Sequence, residues 1–209
     1  VVRERAPQAV IALDNTWGAG IAFDAFALAD GLGVDVTVHA LTKYPSGGGD
    51  VLMGAVTCRD DALYRTLALS RSRVGHGVGI DDVEFVLRSL PSLALRYAAQ
   101  DAAGRAFAAW CQSRKEFARV LHPALPGSPG HEHWASHCSA AAGLVTVEID
   151  PRFTSTQTDA FVDALKLFRI GYSWAGPVSL VLPYDPKTIR DKNSPYRGTL
   201  VRYCIGLES

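Results

Sequence analysis

The chain predicts an α/β fold: part of a large domain built on a mostly parallel sheet, followed by a small C-terminal α+β domain. Three observations carry this reading. Short apolar runs alternate with helix-like stretches through the first third of the sequence. A long helical pattern with one proline interruption follows, and beyond it lie short strands of alternating character, typical of a sheet with one covered face. At 209 residues with 48% hydrophobic content, the chain can bury a sizeable core.

Ala9-Val10-Ile11-Ala12-Leu13 is a continuous apolar run halted by Asp14-Asn15-Thr16, as expected of a parallel strand buried on both faces. Asp14 therefore belongs at a strand's C-terminal end. A helix is expected from Ala25 to Asp30, stopped by Gly31 and Gly33, then a strand over Val34–His39. Val51–Cys58 reads as a third strand, and Arg59-Asp60-Asp61 opens a helix through Leu69, its acidic groups suited to the positive helix start. Apolar residues recur at helical spacing from Asp81 to about Glu116, interrupted by Pro91, after which the pattern changes. Strands are expected at Leu144–Ile149, Val178–Leu182 and Leu200–Ile205, with a helix from Thr156 to Phe168. The division is residues 1–88 for the large-domain part and 89–209 for the small domain with its connecting helix.

Charge and composition exclude several classes. Lys plus Arg and Asp plus Glu both total 21, so no net field favours nucleic acid or an anionic membrane surface. Cys58, Cys111, Cys138 and Cys204 show no C-x-x-C spacing and read as free thiols. No apolar run approaches the ~20 residues of a membrane span, and VVRERAPQ lacks a signal peptide's apolar stretch, which gives the expectation of a cytoplasmic protein. His131, His133 and His137 lack the i, i+4 pair with a glutamate, so they read as a solvated loop and no metal is expected.

Lys43 is the candidate for a chemical role. Thr42-Lys43-Tyr44 follows a strand and precedes Pro45-Ser46-Gly47-Gly48-Gly49-Asp50, where glycines permit close approach of backbone to a ligand. Taken alone, such a lysine is a solvated loop residue. Asp14-Asn15-Thr16-Trp17 and the Thr42-Lys43-Tyr44 turn, however, resemble the Asp-Asn-Thr and Thr-Lys-Tyr segments of the cystathionine β-lyase and γ-synthase group, pyridoxal-phosphate enzymes of fold type I. Gly171-Tyr172-Ser173-Trp174-Ala175-Gly176, the closing Leu200–Glu208 segment and His122–Ser128 resemble further family segments, so the likeness spans essentially the whole chain.

The resemblance implies an aspartate-aminotransferase-like fold and pyridoxal 5'-phosphate held by Lys43 as a Schiff base. A lysine amine both forms an imine with an aldehyde and, once displaced, moves protons. Asp14 would face the ring nitrogen and keep it protonated; on its own it is a strand-end turn residue. Thr42 would donate to the phosphate, the plain alternative being a strand-end cap. Arg202 would clamp the substrate α-carboxylate with its planar fork, helped by Ser173 and Trp174. Without the likeness, Arg202 is an exposed edge-strand arginine and Trp174 is core. Ala40 stands where γ-synthases commonly carry serine, which leans toward a β-lyase acting on a sulfur amino acid. The family also implies a homo-oligomer, a dimer of dimers.

Two departures accompany the likeness. Gly48-Gly49 replaces the family's His-Ser. The family's N-terminal portion, which supplies a phosphate loop, a ring stacked on the cofactor and residues for the neighbouring subunit, is not in these residues, and a final helix is expected after Glu208. The competing expectations are therefore a β-lyase, a γ-synthase or γ-lyase, and a noncatalytic truncated remnant.

Overall fold

The computed structural model describes residues 1–28, 31–189 and 194–208. After a short helix α1 (Val2–Arg5), strands β1 (Ala12–Asp14), β2 (Val36–Ala40) and β3 (Gly54–Cys58) form a three-stranded sheet in the order β1-β2-β3. β1 and β2 run parallel, with Asp14 opposite Val38, whereas β3 returns antiparallel to β2, with Gly54 opposite Ala40. This sheet is mixed, where mostly parallel pairing was expected. The connection explains it: residues 41–53 coil as turns around Lys43 and the glycines and form no crossover helix.

Two further expectations in this region need correction. β1 is not buried on both faces, since Ala12 and Asp14 are exposed and Leu13 half-buried; β2 is its main neighbour among the described residues. The helix expected over Ala25–Asp30 is replaced by turns in its described part, residues 25–28, while residues 29–30 lie outside the described residues. Asp24 redirects the backbone there: its Oδ1 accepts Phe26 N–H at 2.9 Å and its carbonyl accepts Ala27 N–H at 3.2 Å.

Helix α2 (Asp61–Val74) starts where Asp60 Oδ1 accepts Leu63 N–H at 2.6 Å. It runs past Leu69 because Gly75, at φ 73°, supplies the left-handed residue that closes it. Helix α3 (Ile80–Ser89) passes through a 3₁₀ turn at Leu90–Ser92 around Pro91 into α4 (Leu93–Gln112), the long interrupted helix expected from periodicity.

The second sheet contains β4 (Phe117–Leu121), β5 (Leu144–Ile149), β6 (Arg169–Ile170), β7 (Leu180–Tyr184) and β8 (Leu200–Cys204), in the order β4-β5-β8-β7-β6. Its pairings are antiparallel except that of β6 with β7. Helix α5 (His131–His137) carries the three histidines expected in a loop, and His131 Nδ1 lies 2.8 Å from Pro123 O. Among the described residues, no group of three or more His, Cys, Asp or Glu could hold a metal ion. Helix α6 (Ser155–Asp163) opens with a Thr154–Gln157 capping box and ends short of Phe168, because Leu165 and Phe168 turn back to pack on the core. A short helix α7 (Pro186–Ile189) follows β7.

One face of the second sheet builds the main core. Val147, Ile149, Val181, Val201 and Tyr203 meet Cys111 from α4 and Val162 from α6 in a single cluster. A second cluster of Ala22, Tyr44, Tyr97, Ala142 and Ala175, flanked by Trp17 and Trp174, joins the Lys43 turn to α4 and to the loops of the second sheet. This second cluster positions the site.

Candidate active site

Parallel pairing of β1 and β2 opens their C-terminal ends to the same side, where open α/β sheets place ligands. Asp14 ends β1. Its Oδ1 accepts Thr16 N–H at 3.0 Å and the Thr16 hydroxyl at 2.6 Å, while Thr16 Oγ1 accepts Ala40 N–H at 2.8 Å. This relay ties the ends of both strands together just before Lys43, whose N–H bonds Ala40 O at 3.1 Å. The Thr16 hydroxyl, and then its N–H, hold the Asp14 carboxyl below the usual range, so it stays an anion.

Around Lys43 the chain makes a tight turn. Ser46 Oγ donates to Thr42 O at 2.9 Å and accepts Gly49 N–H at 3.1 Å. Gly49 has φ 71°, and a side chain on Gly48 would run into the Asp50 carboxylate, so the Gly48-Gly49 pair suits the backbone of this turn. Thr42 is half-buried, and its carbonyl is the group Ser46 holds.

Lys43 points toward the second sheet. Its Nζ donates to Ser173 Oγ at 3.0 Å and lies 5.3 Å from the Trp174 ring centroid. Burial first, and then the nearby Arg202 guanidinium, lower the lysine's pKa, with Cys204 opposing. Both lowering influences favour the neutral, nucleophilic amine. Arg202 lies on β8 between the core residues Val201 and Tyr203, so its side chain takes the opposite face of the sheet. Its Nη2 donates to Tyr172 O at 2.7 Å and, more weakly, to Ser173 O at 3.4 Å.

The fold thus gathers Lys43, Ser173, Trp174 and Arg202 at one place and joins Asp14 to it through Thr16 and Ala40. Thr42 shares the turn without a direct contact to Asp14 or Arg202 among the described residues. An amine for an aldehyde, a carboxylate kept ionised for a ring nitrogen, and a strand-end hydroxyl for a phosphate together suit a pyridoxal-type cofactor.

Sequence reasoning missed three supports. Thr16 stood inside the recognised Asp-Asn-Thr segment and was readable there as the aspartate's partner. Ser46 and Cys204 gave no local signal. The buried Cys204 thiol accepts Ala175 N–H at 3.0 Å, pinning the backbone just after Trp174.

Comparison with known proteins identifies the family. Residues 1–209 match the family described as Cys/Met metabolism PLP-dependent enzyme. Cystathionine beta-lyase of Salmonella typhimurium is 34% identical over 212 residues, covering 100% of this chain and 52% of that protein. L-alanine/L-glutamate racemase of Wolbachia pipientis is 32% identical over 201 residues, covering 95% of this chain and 49% of that protein. Among solved structures, apo CalE6, a methionine gamma lyase from Micromonospora echinospora, has a TM-score of 0.84 at 28% identity, covering 99% of this chain and 53% of that one. The chain spans about half the length of the curated relatives it matches. Matched by that family over residues 1–209, the chain belongs to the Cys/Met metabolism PLP-dependent enzymes.

Proposed function

We propose that the protein carrying this chain is a pyridoxal-phosphate-dependent carbon–sulfur lyase that cleaves cystathionine by β-elimination to homocysteine, pyruvate and ammonia, a step of methionine biosynthesis. The observation that carries the reading is the approach of Lys43 Nζ to Ser173 Oγ at 3.0 Å beside Arg202. What supports the reading is that an amine, a hydroxyl and a guanidinium fork lie close together, the set that a small amino acid substrate calls for. The reading includes a homo-oligomer in the cytoplasm, with residues 1–88 as the large-domain part and 89–209 as the small domain.

Pyridoxal phosphate, when bound, supplies an electron sink for the charge left at Cα. Lys43 would provide the amine for its aldehyde and would take the substrate's Cα proton; its lowered pKa suits that base role. Asp14, kept ionised by Thr16, would keep the ring nitrogen protonated. Thr42 would donate its hydroxyl to the phosphate. Arg202 commits Nη2 to the Tyr172 carbonyl and turns its other donors to the substrate α-carboxylate. Ser173 and Trp174 would border that carboxylate.

γ-Elimination is the second reading, because CalE6 is a methionine gamma lyase and the same lysine serves either reaction. The intact protein, loaded with pyridoxal phosphate and given cystathionine, separates the two by the keto acid formed. Pyruvate is expected. Predominant 2-oxobutyrate moves the protein to the γ-lyases, and interconversion of L- and D-alanine without a keto acid moves it toward the racemase relative.

A further inference from the structure

Arg96, on α4, reaches into the turn that carries Lys43. Its Nη1 donates to Tyr44 O at 2.7 Å, Nη2 to Ser89 Oγ at 2.9 Å and Ser89 O at 3.1 Å, and Nε to Ser92 Oγ at 2.9 Å. Every partner is a carbonyl or a serine hydroxyl. The guanidinium therefore supplies geometry here, with no carboxylate for its charge to pair with among the described residues. Gly47, at φ 74°, lies against it: a Cβ there would sit 3.0 Å from Arg96 Cζ, so the glycine is what admits the guanidinium.

The residue whose carbonyl Arg96 holds is itself immobilised. Tyr44 is fully buried, its hydroxyl accepts Gly143 N–H at 3.1 Å, and its ring meets Tyr97 edge-on at 4.7 Å and Trp174 at 5.8 Å. Tyr44 directly follows Lys43, so fixing its carbonyl fixes the backbone from which the lysine side chain departs.

We propose that Arg96 is a positioning residue for Lys43, setting the direction in which the amine leaves its turn toward Ser173. The proposal rests on the assignment of Lys43 to the cofactor's aldehyde. Arginine is required because a planar fork reaches Tyr44 O, Ser89 and Ser92 together, whereas a lysine ammonium is a single point on a flexible stem. A misplacement of about 1 Å costs on the order of 10²-fold in rate.

The test uses the intact protein, its Arg96→Lys variant and a Ser89→Ala/Ser92→Ala variant that keeps the arginine but removes its hydroxyl anchors. Each is mixed with pyridoxal phosphate across a pH series and reduced with borohydride, and the labelled lysine is located by peptide mass spectrometry. Melting temperature and steady-state kinetics on cystathionine are measured alongside. The unaltered protein should label at Lys43. Arg96→Lys should label about tenfold more slowly with a displaced pH profile, and kcat should fall on the order of 10²-fold while KM stays within about twofold. The serine pair should move labelling and kcat the same way by less, and it decides by the same criteria if Arg96→Lys does not fold. Unchanged labelling and kcat in the variants that fold, or a shift in melting temperature alone, would make Arg96 purely structural and overturn the proposal. Failure of the unaltered protein to label at Lys43 removes the lysine's assignment, and this proposal with it, whereas normal labelling that Arg96 does not influence removes this proposal alone.

Discussion

The two sheets of this molecule are held together in different ways. In the five-stranded sheet, β5 and β8 are paired on both sides and present Val145, Val147, Val201 and Tyr203, each almost fully buried, against α4 and α6 or the neighbouring strands. In the three-stranded sheet, β1 and β3 are edges, and Val38 and Val56 stay exposed. Yet Asp14 ends, and Lys43 follows, a strand of the open sheet, while Arg202 lies on β8 of the packed one and Ser173 and Trp174 on its β6–β7 loop. In the proposed reading, the groups assigned to the chemistry are carried on the less enclosed layer and steadied by the more enclosed one, through the Tyr44–Tyr97–Trp174 cluster between them.

If chemistry and stability are divided in this way, the sharpest break is Lys43→Ala in the intact protein. Turnover on cystathionine should fall by at least about 10³-fold, because no other group supplies both the amine and the returning base. Stability should stay within about 0.5 kcal/mol, since the half-buried side chain leaves no core cavity. Kinetics and denaturant melts of the same sample check both halves, and near-normal turnover would remove Lys43 from its role.

The converse break is a matched pair of valines. Val201, 0% exposed within β8, loses two buried carbon groups on Val201→Ala and leaves a cavity, so about 2–3 kcal/mol of stability should go. Val56, 56% exposed on β3, should lose less than about 0.5 kcal/mol on the same change. Equal losses in urea melts would erase the distinction between the sheets.

That distinction was only partly legible in the sequence. β5 could be read to the residue because Leu144–Ile149 is bounded by glycine and by an Asp-Pro pair, and α2 announced its start through Asp60. Lys43, Asp14 and Arg202 stood in segments that the family likeness marked out. What escaped was set by distant contacts. Strand β4 continues the apolar run of the long helix, and its pairing with β5, across an intervening loop and α5, makes it a strand. β6 is a two-residue bridge without a local pattern. Arg96 reads as an ordinary helix residue, because its partner Tyr44 lies 52 positions earlier in the chain. The turn at Asp24 did carry its signal, an aspartate able to bond the backbone ahead of it, but the apolar residues that follow outweighed it.

The smallest effect expected separates the two regions by pH. His122 follows β4 and is 1% exposed; burial, and then the Arg105 guanidinium, push its pKa below the ordinary 6.5, with Asp101 opposing. In the window between the folded and unfolded values, the unfolded chain therefore binds the proton more readily, and stability rises with pH. The histidine's neutral burial is tolerated in full above the unfolded value and is penalised progressively as pH falls below it. Asp14 has the opposite chemistry and a different window: its carboxyl is depressed by Thr16, so its contribution is complete above an unfolded value of about 3.9 and is lost only as pH falls through the lower folded value. His122→Leu should thus flatten the decline in urea midpoint between about pH 7 and pH 5, whereas Asp14→Asn should lower the midpoint at every pH above about 4 and, because burial lowers the pKa of His39 and the Asp14 carboxylate opposes it, add slightly to that decline. Urea midpoints across the pH series decide it. A slope unchanged by His122→Leu would mean that the acid sensitivity of the packed region lies in another group, and a slope lessened by Asp14→Asn would mean that the carboxylate does not support the charged form of His39.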